Sequence, residues 1–487
     1  MLSRARCGDL RAFSARKIQC RYYSDEISRP SQHGIDSKPA HGRESDERSP
    51  KEKAHTFHQS RRVFSGIQPT GVPHLGNYLG ALRQWKFLHD SSANAALLSN
   101  AKPEQYFSVV DLHALTSTDI PGPERWRLRK ESYASLMAIG LKNSLQTTLF
   151  FQSDVMYHAE LMWILSTIAS TGYLSRMTQW KSKLNLPENA DIDSDEATAK
   201  LKLGLFSYPV LQAADILLYQ ATLVPVGEDQ LQHIEFARSL ARSFNSHLRQ
   251  TAESPNLFRV PRPALSPARR IMSLKRPTQK MSKSDADPKS RILITDTREE
   301  IHAKVKGAIT DSEPGISFDP EKRPGVSNLI EILRTVTSIS DSAEKIAKDL
   351  EHMTMRAFKE MVADNVSECL RGIRESFLDL MEPTNHTLND EVREGARKAH
   401  ARASWTMKNV RNSLGLQTLK IPSGEAEPEN ANDAGEDDAH DPQTDVHEVK
   451  IRYCKSETAG AIQEALAGLS KQSFPASEPE NSAKSRS

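Results

Sequence analysis

The stretch Val63-Phe-Ser-Gly-Ile-Gln-Pro-Thr-Gly-Val-Pro-His-Leu-Gly-Asn77 decides the fold, because it leads from a strand through a glycine-rich loop into a helix. Residues 63–67 are the strand, and the helix begins near Gly76. The first turn of that helix points free N–H groups and the positive end of its dipole at the loop. His74 and Asn77 add hydrogen-bond donors for phosphate or ribose oxygens. Taken alone, the loop fits an ordinary strand-to-helix turn, capped by His74, better than a nucleotide site.

Strands and helices alternate along the chain around this stretch. Three further apolar runs are typical of buried parallel strands, at 106–110, 148–152 and 222–226. Helical spacing of apolar residues is found at 76–90, 124–140, 157–170, 208–219 and 229–249. The alternation predicts an α/β fold with a doubly wound parallel sheet, in which ligands bind at the carboxyl ends of the strands.

A second loop, Lys280-Met-Ser-Lys-Ser284, lies in a strongly basic part of the chain. Residues 254–284 contain eight Lys and Arg and no Asp or Glu. Such a charge attracts a polyanion, and two lysines three positions apart can reach one triphosphate while Ser282 and Ser284 donate hydroxyls. A basic surface loop is the plain alternative. The pairing with the first loop, in the right order and separation, favours a nucleotide site.

From about residue 297 the β-branched runs stop, and helices are predicted at 327–338, 341–352, 355–381 and 387–414. We therefore divide the folded body into an α/β domain, 61–296, and an all-helical domain, 297–417. The last helix is basic, and its residues include Arg393, Arg397 and Arg402. A solvated helix face explains those charges as well as a binding role does.

Composition restricts the class of protein. The chain has 487 residues and a net charge of +2, a length that suggests two or three domains. No apolar run approaches ~18 residues, which excludes a transmembrane helix. Four widely spaced cysteines exclude a disulfide scaffold and a cysteine-built zinc site, and no metal-ligating residue is predicted.

Both ends of the chain differ from the middle. Residues 1–23 are rich in Arg, Ser and Ala without an apolar core, which predicts a mitochondrial transit peptide; a basic tail without function is the alternative. Residues 24–60 have the composition of a disordered linker. Residues 418–448 are predicted to be an acidic disordered segment, with ten Asp and Glu from 425 to 448, and 449–487 form an appendage of unknown role.

Both loops resemble the signatures of class I aminoacyl-tRNA synthetases. Residues 69–77 are similar to the HIGH motif, and residues 280–284 match the KMSKS motif in full. Further stretches resemble the tryptophanyl branch of bacterial and organellar type: Phe64-Ser-Gly-Ile-Gln-Pro-Thr-Gly71, Ala213-Ala-Asp-Ile-Leu-Leu-Tyr219, Val224-Pro-Val-Gly-Glu-Asp-Gln230 and Arg270-Ile-Met-Ser-Leu274. One departure is Asn77, which stands where HIGH ends in His; the tryptophan and tyrosine branch tolerates it.

The resemblance implies a Rossmann-type catalytic domain, 61–296, and a helical domain that binds the tRNA anticodon, 297–417. It implies that tryptophan attacks the α-phosphorus of ATP and that the adenylate then esterifies tRNA. Lys280, Lys283 and His74 are the implied catalytic residues, with Mg²⁺ carried on the phosphates and no protein nucleophile. The implied ATP-binding residues are Gln68, Pro69, Thr70, Gly76, Asn77, Gly227, Glu228, Asp229, Ile271, Lys280, Met281, Ser282, Lys283 and Ser284.

Asp215 is the predicted tryptophan-binding residue. The indole N–H needs an acceptor, and a carboxylate between Ala214 and Ile216 on an apolar helix is otherwise out of place. A surface Asp paired with a neighbouring cation is the alternative. The family pattern and the apolar neighbours favour the binding role.

By resemblance, the partners are tRNA(Trp), L-tryptophan and ATP, without a membrane, and the protein is a homodimer of the mitochondrial matrix. The tRNA contacts are expected on the last helix, at Arg393, Arg397 and Arg402. Three alternatives remain: a tyrosyl-tRNA synthetase, a small-molecule nucleotidyltransferase, and a non-catalytic RNA-binding protein derived from a synthetase. The stretches 213–219 and 227–230 disfavour the first, the helical domain disfavours the second, and the intact motifs in both loops disfavour the third.

Overall fold

A computed structural model describes residues 61–98, 103–116, 120–187, 189–249, 257–265 and 270–417. The predicted transit peptide (1–23), linker (24–60), acidic segment (418–448) and appendage (449–487) lie outside the described residues. Within the described ranges, no helix combines the length and the apolar character that crossing a membrane requires.

Five parallel strands form the sheet of the described chain, in the order β3-β2-β1-β4-β5. They are β1 (Arg62–Ile67), β2 (Glu104–Val109), β3 (Thr147–Phe151), β4 (Leu223–Val226) and β5 (Arg262–Leu265). The order reverses between β1 and β4, where a doubly wound sheet opens a crevice at the carboxyl ends of its strands. The predicted fold class is confirmed.

The sequence does not predict β5. Its four residues, Arg-Pro-Ala-Leu, contain no apolar run, and most of them are exposed. As the edge strand beside β4 it has one neighbour only, and an edge position tolerates both the proline and the polar side chain.

The helices cover both faces of the sheet. Side chains alternate between the faces along a strand, and Phe107 and Val109 of β2 lie in one apolar cluster while Tyr106 lies in another. The helices are α1 (Leu75–Asn77), α2 (Arg83–Leu98), α3 (Asp111–Ala114), α4 (Gly122–Ala138), α5 (Tyr157–Ser166), α6 (Thr171–Ser175), α7 (Thr178–Lys183), α8 (Asp195–Lys200), α9 (Leu203–Leu218), α10 (Leu231–Arg249), α11 (Arg298–Lys306), α12 (Pro324–Thr337), α13 (Ala343–Asp349), α14 (Met355–Met381) and α15 (Thr387–Ser413). A π-helical turn, Tyr78–Leu82, joins α1 to α2.

The last helix, α15, lies directly against β3. At Gly395 a Cβ atom would stand 1.8 Å from the carbonyl oxygen of Leu149, so the helix can approach the strand this closely only with glycine there. Lys398 Nζ donates to the carbonyl oxygens of Ser144 and Thr147 at the start of β3. The helical part of the chain is therefore packed onto the sheet.

Candidate functional site

The two predicted loops meet at the carboxyl edge of the sheet and enclose a cavity of about 440 Å³. Every lining residue belongs to one of the two loops: Thr70, His74, Asn77, Lys280, Met281, Ser282 and Lys283. The cavity adjoins the end of β1, at the reversal of the strand order, which is the usual ligand position in this architecture. No lining residue is a carboxylate, so the cavity suits an anion.

His74 caps the helix that leaves the first loop. Its Nδ1 accepts a hydrogen bond from the backbone N–H of Asn77 (3.2 Å), and Asn77 Oδ1 accepts one from the backbone N–H of His74 (3.2 Å). Burial, together with the positive charges of Lys283, Lys280 and Arg291, lowers the pKa of His74 to about 4. His74 is therefore neutral at pH 7, and because Nδ1 accepts, Nε2 carries the proton and is a donor.

A short backbone pairing holds the first loop to the segment that follows the second. The N–H of Leu75 donates to the carbonyl of Ile292 (2.7 Å), and the N–H of Ile294 donates to the carbonyl of Pro73 (3.1 Å). Residues 292–294 lie a few positions beyond the KMSKS-like loop, so this pairing fixes the distance between the two loops. The pairing therefore holds the two loops in position on either side of a ligand that binds between them.

Lys283 contacts the first loop directly. Its Nζ donates to the carbonyl oxygen of Thr70 (3.0 Å), to Thr70 Oγ1 (3.0 Å) and to the carbonyl oxygen of Gly71 (2.9 Å). Burial lowers the pKa of Lys283 to about 8. Lys280, by contrast, is exposed at the mouth of the cavity. The two lysines therefore line the same cavity, with Lys283 inside it and Lys280 at its mouth.

A hairpin presents the second loop. The N–H of Met281 donates to the carbonyl of Ile271 (3.0 Å), and the N–H of Ser273 donates to the carbonyl of Gln279 (2.8 Å). Ile271 is buried, with a side chain that a Cβ at Gly76 would approach to 3.6 Å. The absence of a side chain at Gly76 therefore leaves space between the first loop and Ile271.

Other predicted ATP residues lie beside the cavity rather than in its lining. Pro69 is buried, and the carbonyl of Gln68 accepts from the N–H of Thr70 (2.9 Å), which closes the turn. Ser284 Oγ lies 2.8 Å from Ser282 Oγ at the other side. These residues shape the two loops that form the cavity walls.

The end of β4 faces the hairpin. Gly227 follows β4 directly, and Glu228 and Asp229 begin the next turn. A carboxylate oxygen of Glu228 lies 3.5 Å from a guanidinium nitrogen of Arg270, the residue before Ile271, and both side chains are exposed. The structure therefore brings two predicted ATP-binding parts of the chain, residues 227–229 and the stretch that contains Ile271, next to each other.

Asp215 is buried on α9, with 1% of its surface exposed. Its Oδ1 accepts from His158 Nδ1 (2.6 Å) and Gln152 Nε2 (2.8 Å), while Oδ2 accepts from His113 Nε2 (2.9 Å). Burial raises the pKa of Asp215, but the hydrogen bonds from His113 and His158 outweigh it, so the pKa lies below its usual value. The group is an ionised acceptor, and Oδ2 has one lone pair without a described partner.

Comparison with known proteins agrees with this geometry. The family described as tRNA synthetases class I (W and Y) matches residues 56–371. The chain belongs to this family. The match covers both loops, the whole described sheet and Asp215, so the cavity and the buried carboxylate lie in the part of the chain that matches the family.

Individual members of the family are similar over nearly their full length. The mitochondrial tryptophan–tRNA ligase of Schizosaccharomyces pombe is 44% identical over 360 residues, which is 73% of this chain and 95% of the relative. The tryptophan–tRNA ligase of Caldanaerobacter subterraneus is 41% identical over 357 residues, 73% of this chain and 98% of the relative. The crystal structure of tryptophanyl-tRNA synthetase from Mycoplasma pneumoniae has a TM-score of 0.59 and 28% identity, covering 74% of this chain and 99% of that one.

A structure of the Campylobacter jejuni tryptophanyl-tRNA synthetase, complexed with ADP and tryptophan, has a TM-score of 0.57 at 27% identity. The match covers 73% of this chain and 100% of the Campylobacter jejuni chain.

Three polar residues that surround Asp215 in this synthetase are not predicted from the sequence. His113 follows β2, Gln152 follows β3, and His158 begins the helix after that; His158 Nε2 lies 3.0 Å from Tyr219 Oη. The rule that ligands bind at the carboxyl ends of parallel strands points to His113 and Gln152. His158 has no such signal, because its contact with Asp215 exists only once α5 packs against α9.

The three arginines of α15 do not lie together. Arg393 and Arg397 are exposed and form ion pairs one turn back, with Asp390 (3.2 Å) and Glu394 (2.8 Å). Arg402 is half-buried, and its Cζ lies 4.6 Å from the ring centre of Trp405. Arg411 pairs with Glu160 of α5 (2.5 Å). Much of the positive charge of this helix is therefore balanced within the synthetase itself.

Proposed function

We propose that this chain is a mitochondrial tryptophan–tRNA ligase, which activates L-tryptophan with ATP and transfers it to tRNA(Trp). The observation that carries the proposal is the meeting of two loops around one cavity, with His74, Lys280 and Lys283 in its lining. Family membership supports the reaction, and relatives named tryptophan–tRNA ligase at 41–44% identity support the amino acid.

In the first step the carboxylate of tryptophan attacks the α-phosphorus of ATP, and diphosphate leaves. The chain positions the reactants and stabilises the charge that develops on the phosphates, without a covalent bond to the protein. Lys280 and Lys283 supply ammonium groups, and His74 donates through Nε2–H. Phosphate oxygens replace the carbonyl oxygens that Lys283 contacts, and their negative charge favours its protonated form.

The adenosine part of ATP binds between the first loop and the hairpin. Ile271 packs on the adenine, beside the space that Gly76 leaves open. The residues after β4, which are Gly227, Glu228 and Asp229, face the ribose. The walls around the phosphates are formed by Gln68, Pro69, Thr70, Asn77, Met281, Ser282 and Ser284.

The residues present do not form a protein site for Mg²⁺. No carboxylate lines the cavity, and the described part of the chain holds no group of three or more His, Cys, Asp or Glu side chains placed to bind a metal. Magnesium would enter with the triphosphate and would be held by its phosphate oxygens, where it would help to neutralise the charge of the leaving diphosphate.

Asp215 binds the indole of tryptophan. Its Oδ2 accepts one described hydrogen bond, from His113, and retains a lone pair for the indole N–H. His113, His158 and Gln152 hold the carboxylate in one orientation and keep it ionised. A pocket with a fixed acceptor rejects amino acids that lack the matching donor, because the buried group would stay unpaired.

In the second step the tryptophanyl group passes to the terminal ribose of tRNA, first to its 2′-hydroxyl as in this class. Residues 61–296 are the catalytic domain, and residues 297–417 bind the anticodon. Arg393 and Arg397 contact tRNA phosphates from the exposed side of α15, and Arg402 is the third expected contact. The protein acts as a homodimer. Its location is the mitochondrial matrix, which the transit-like composition of residues 1–23 supports.

ATP–diphosphate exchange with each of the twenty amino acids tests this function. We expect exchange with tryptophan alone. Exchange with tyrosine would select a tyrosyl-tRNA synthetase. Exchange with none of them, while RNA is still bound, would select a non-catalytic RNA-binding protein.

A further inference from the structure

Tyr219 lies one helical turn beyond Asp215, directly after the last residue of α9. Both side chains contact the same imidazole: His158 Nδ1 is 2.6 Å from Asp215 Oδ1, and His158 Nε2 is 3.0 Å from Tyr219 Oη. All three residues are buried. The imidazole is therefore held at both of its nitrogens, away from water.

These two contacts fix the positions of the protons. The ionised carboxylate of Asp215 can only accept a hydrogen bond, so His158 Nδ1 donates to it. In the neutral imidazole Nε2 then has no proton, and it accepts from the hydroxyl of Tyr219. Burial raises the pKa of Tyr219 well above its ordinary value, and the charge of Asp215 raises it further, so the hydroxyl keeps its proton at neutral pH. Tyr219 thus selects the tautomer of His158 that presents a donor to Asp215.

Aromatic side chains from three strands fix the ring of Tyr219. It stacks on Tyr106 of β2, with ring centres 4.5 Å apart, and on Phe64 of β1, at 5.7 Å. Phe150 of β3 packs against it at 5.3 Å. A ring packed on several sides keeps its hydroxyl in one place. The sheet therefore sets the position of this donor, and the imidazole aligns with it.

Gln152, the other donor to Asp215 Oδ1, is oriented in the same manner. Its Oε1 accepts from the backbone N–H of Leu112 (3.1 Å), which leaves Nε2 to donate to Asp215 (2.8 Å). Each of the two donors to Oδ1 thus has a further group behind it that fixes its direction. Support of this kind holds a binding group in one geometry, so the remaining lone pair of Oδ2 keeps one direction.

We propose that Tyr219 is a positioning residue for tryptophan: through His158, it holds the Asp215 carboxylate in the orientation that accepts the indole N–H. The inference rests on the proposed role of Asp215 as that acceptor. Without the hydroxyl, the buried Nε2 of His158 loses its donor, and the imidazole is free to turn or to adopt the other tautomer, with a lone pair toward Asp215. The indole hydrogen bond is then weakened, while the contacts of the protein with the rest of tryptophan remain.

The test compares two ligands of nearly the same shape: L-tryptophan, and β-(benzothiophen-3-yl)-L-alanine, in which sulfur replaces the indole N–H. Isothermal titration calorimetry measures the affinity of each for the full chain and for Tyr219→Phe, which keeps the ring and loses only the hydroxyl. The ratio of the two affinities reports the hydrogen bond from the indole N–H. We expect Tyr219→Phe to lower tryptophan affinity about five- to tenfold and to leave analogue affinity within about twofold.

Tyr106→Phe is the matched control. Tyr106 is a buried neighbour whose ring stacks on Tyr219, but its hydroxyl donates to Glu104 (2.8 Å). We expect its affinity ratio to equal that of the parent within about twofold. His158→Leu removes the imidazole, so adding Tyr219→Phe to that variant should change the ratio by less than about twofold, because the hydroxyl then has no imidazole to orient.

Three results would overturn the proposal, each with its own meaning. If the parent binds both ligands equally, Asp215 does not accept from the indole N–H, and the proposed role of Asp215 fails together with the inference. If the parent prefers tryptophan and Tyr219→Phe keeps the ratio of the parent, Tyr219 does not orient Asp215, whose role stands. If Tyr219→Phe loses affinity for both ligands equally, Tyr219 acts through packing alone.

Melting temperatures show whether each variant is folded. Should Tyr219→Phe fail to fold, His158→Leu decides, because Tyr219 acts on Asp215 only through that imidazole. A lowered affinity ratio in His158→Leu would support the proposal, and the ratio of the parent would overturn it.

Discussion

The side-chain amide of Asn328 makes two hydrogen bonds to the backbone of Met272. Oδ1 accepts from the N–H of Met272 (2.9 Å), and Nδ2 donates to its carbonyl (3.0 Å). Asn328 is buried in α12, and Met272 pairs with Lys280 across the hairpin that ends in the KMSKS-like loop. Helix α12 therefore holds the hairpin of the KMSKS-like loop through one side-chain amide.

Asn328→Ala should raise the KM for ATP several-fold and leave the KM for tryptophan nearly unchanged. The substitution removes the Asn328 partners of the half-buried Met272 N–H and carbonyl, at a cost of up to about 1–3 kcal/mol each. The hairpin then loses its fixed position relative to the first loop. ATP–diphosphate exchange at varied ATP and tryptophan measures the two constants.

The control for that variant is Asn365→Ala, which removes an Asn on α14 whose side chain donates, within the described residues, to the carbonyl of Met361 one turn back. We expect it to behave as the parent enzyme. If the KM values for ATP and for tryptophan rise equally in both variants, Asn328 has no specific effect on ATP binding.

Lys280→Ala and Lys283→Ala should each slow adenylate formation about 10- to 100-fold, since a hydrogen bond to a charged group contributes roughly 1.5–3 kcal/mol. The charge that they meet is greatest on the leaving diphosphate, so tryptophan affinity should stay within twofold. Rapid-quench measurement of the adenylate and equilibrium tryptophan binding separate the two effects. Lys289→Ala, an exposed lysine of the same region, is the control. A matching loss of tryptophan affinity would mean that the loop acts only as structure.

The pH dependence of kcat/KM for ATP should report the ionisation of Lys283. Burial lowers its pKa to about 8, so the free enzyme loses this positive charge as the pH rises through 8. The protonated form binds phosphates, and kcat/KM for ATP should therefore fall above pH 8. Lys283→Arg keeps its proton at every accessible pH and should abolish that fall, although its maximum is lower. Parallel profiles for the two enzymes would assign the fall to another group.

Asp215→Asn should weaken tryptophan binding about 10- to 100-fold. The acceptor for the indole N–H becomes a poorer one, and the amide N–H₂ meets either the donor of His113 or the donors of His158 and Gln152. ATP affinity should change by less than twofold. Equilibrium binding of each ligand to the folded variant measures both, and Asp154→Asn, an exposed Asp just after β3, is the control. Tryptophan affinity within twofold of the parent would remove Asp215 from the pocket.

The double variant Arg393→Ala, Arg397→Ala should weaken the binding of all tRNAs about equally. The slope of log affinity against log salt should fall by the equivalent of roughly one to two phosphate contacts. Filter binding at several salt concentrations gives that slope, while tryptophan activation without tRNA should remain at the parent level. An unchanged slope would indicate that the ion pairs with Asp390 and Glu394 leave these arginines unavailable to tRNA.

The fold and the ATP site follow largely from local patterns. Strands β1 to β4 are short apolar runs, and the two loops are contiguous stretches whose residue types reveal their chemistry. The edge strand β5 is absent from the prediction because it has no such run; only pairing with β4 makes it a strand. The identity of Asp215 as a buried acceptor follows from its apolar neighbours, but its three partners do not.

The sequence by itself determined the class of sheet, the two loops and the ligand that they suit, because periodicity, glycine positions and charge are properties of neighbouring residues. The tertiary structure alone decided which groups meet. Lys283 reaches Thr70, and Asn328 reaches Met272, across separations of 213 and 56 residues. It also decided that Arg411 is paired with Glu160 while Arg402 keeps an unpaired edge. Whether a charge is balanced depends on the packing of distant segments around it, and no local pattern records that packing.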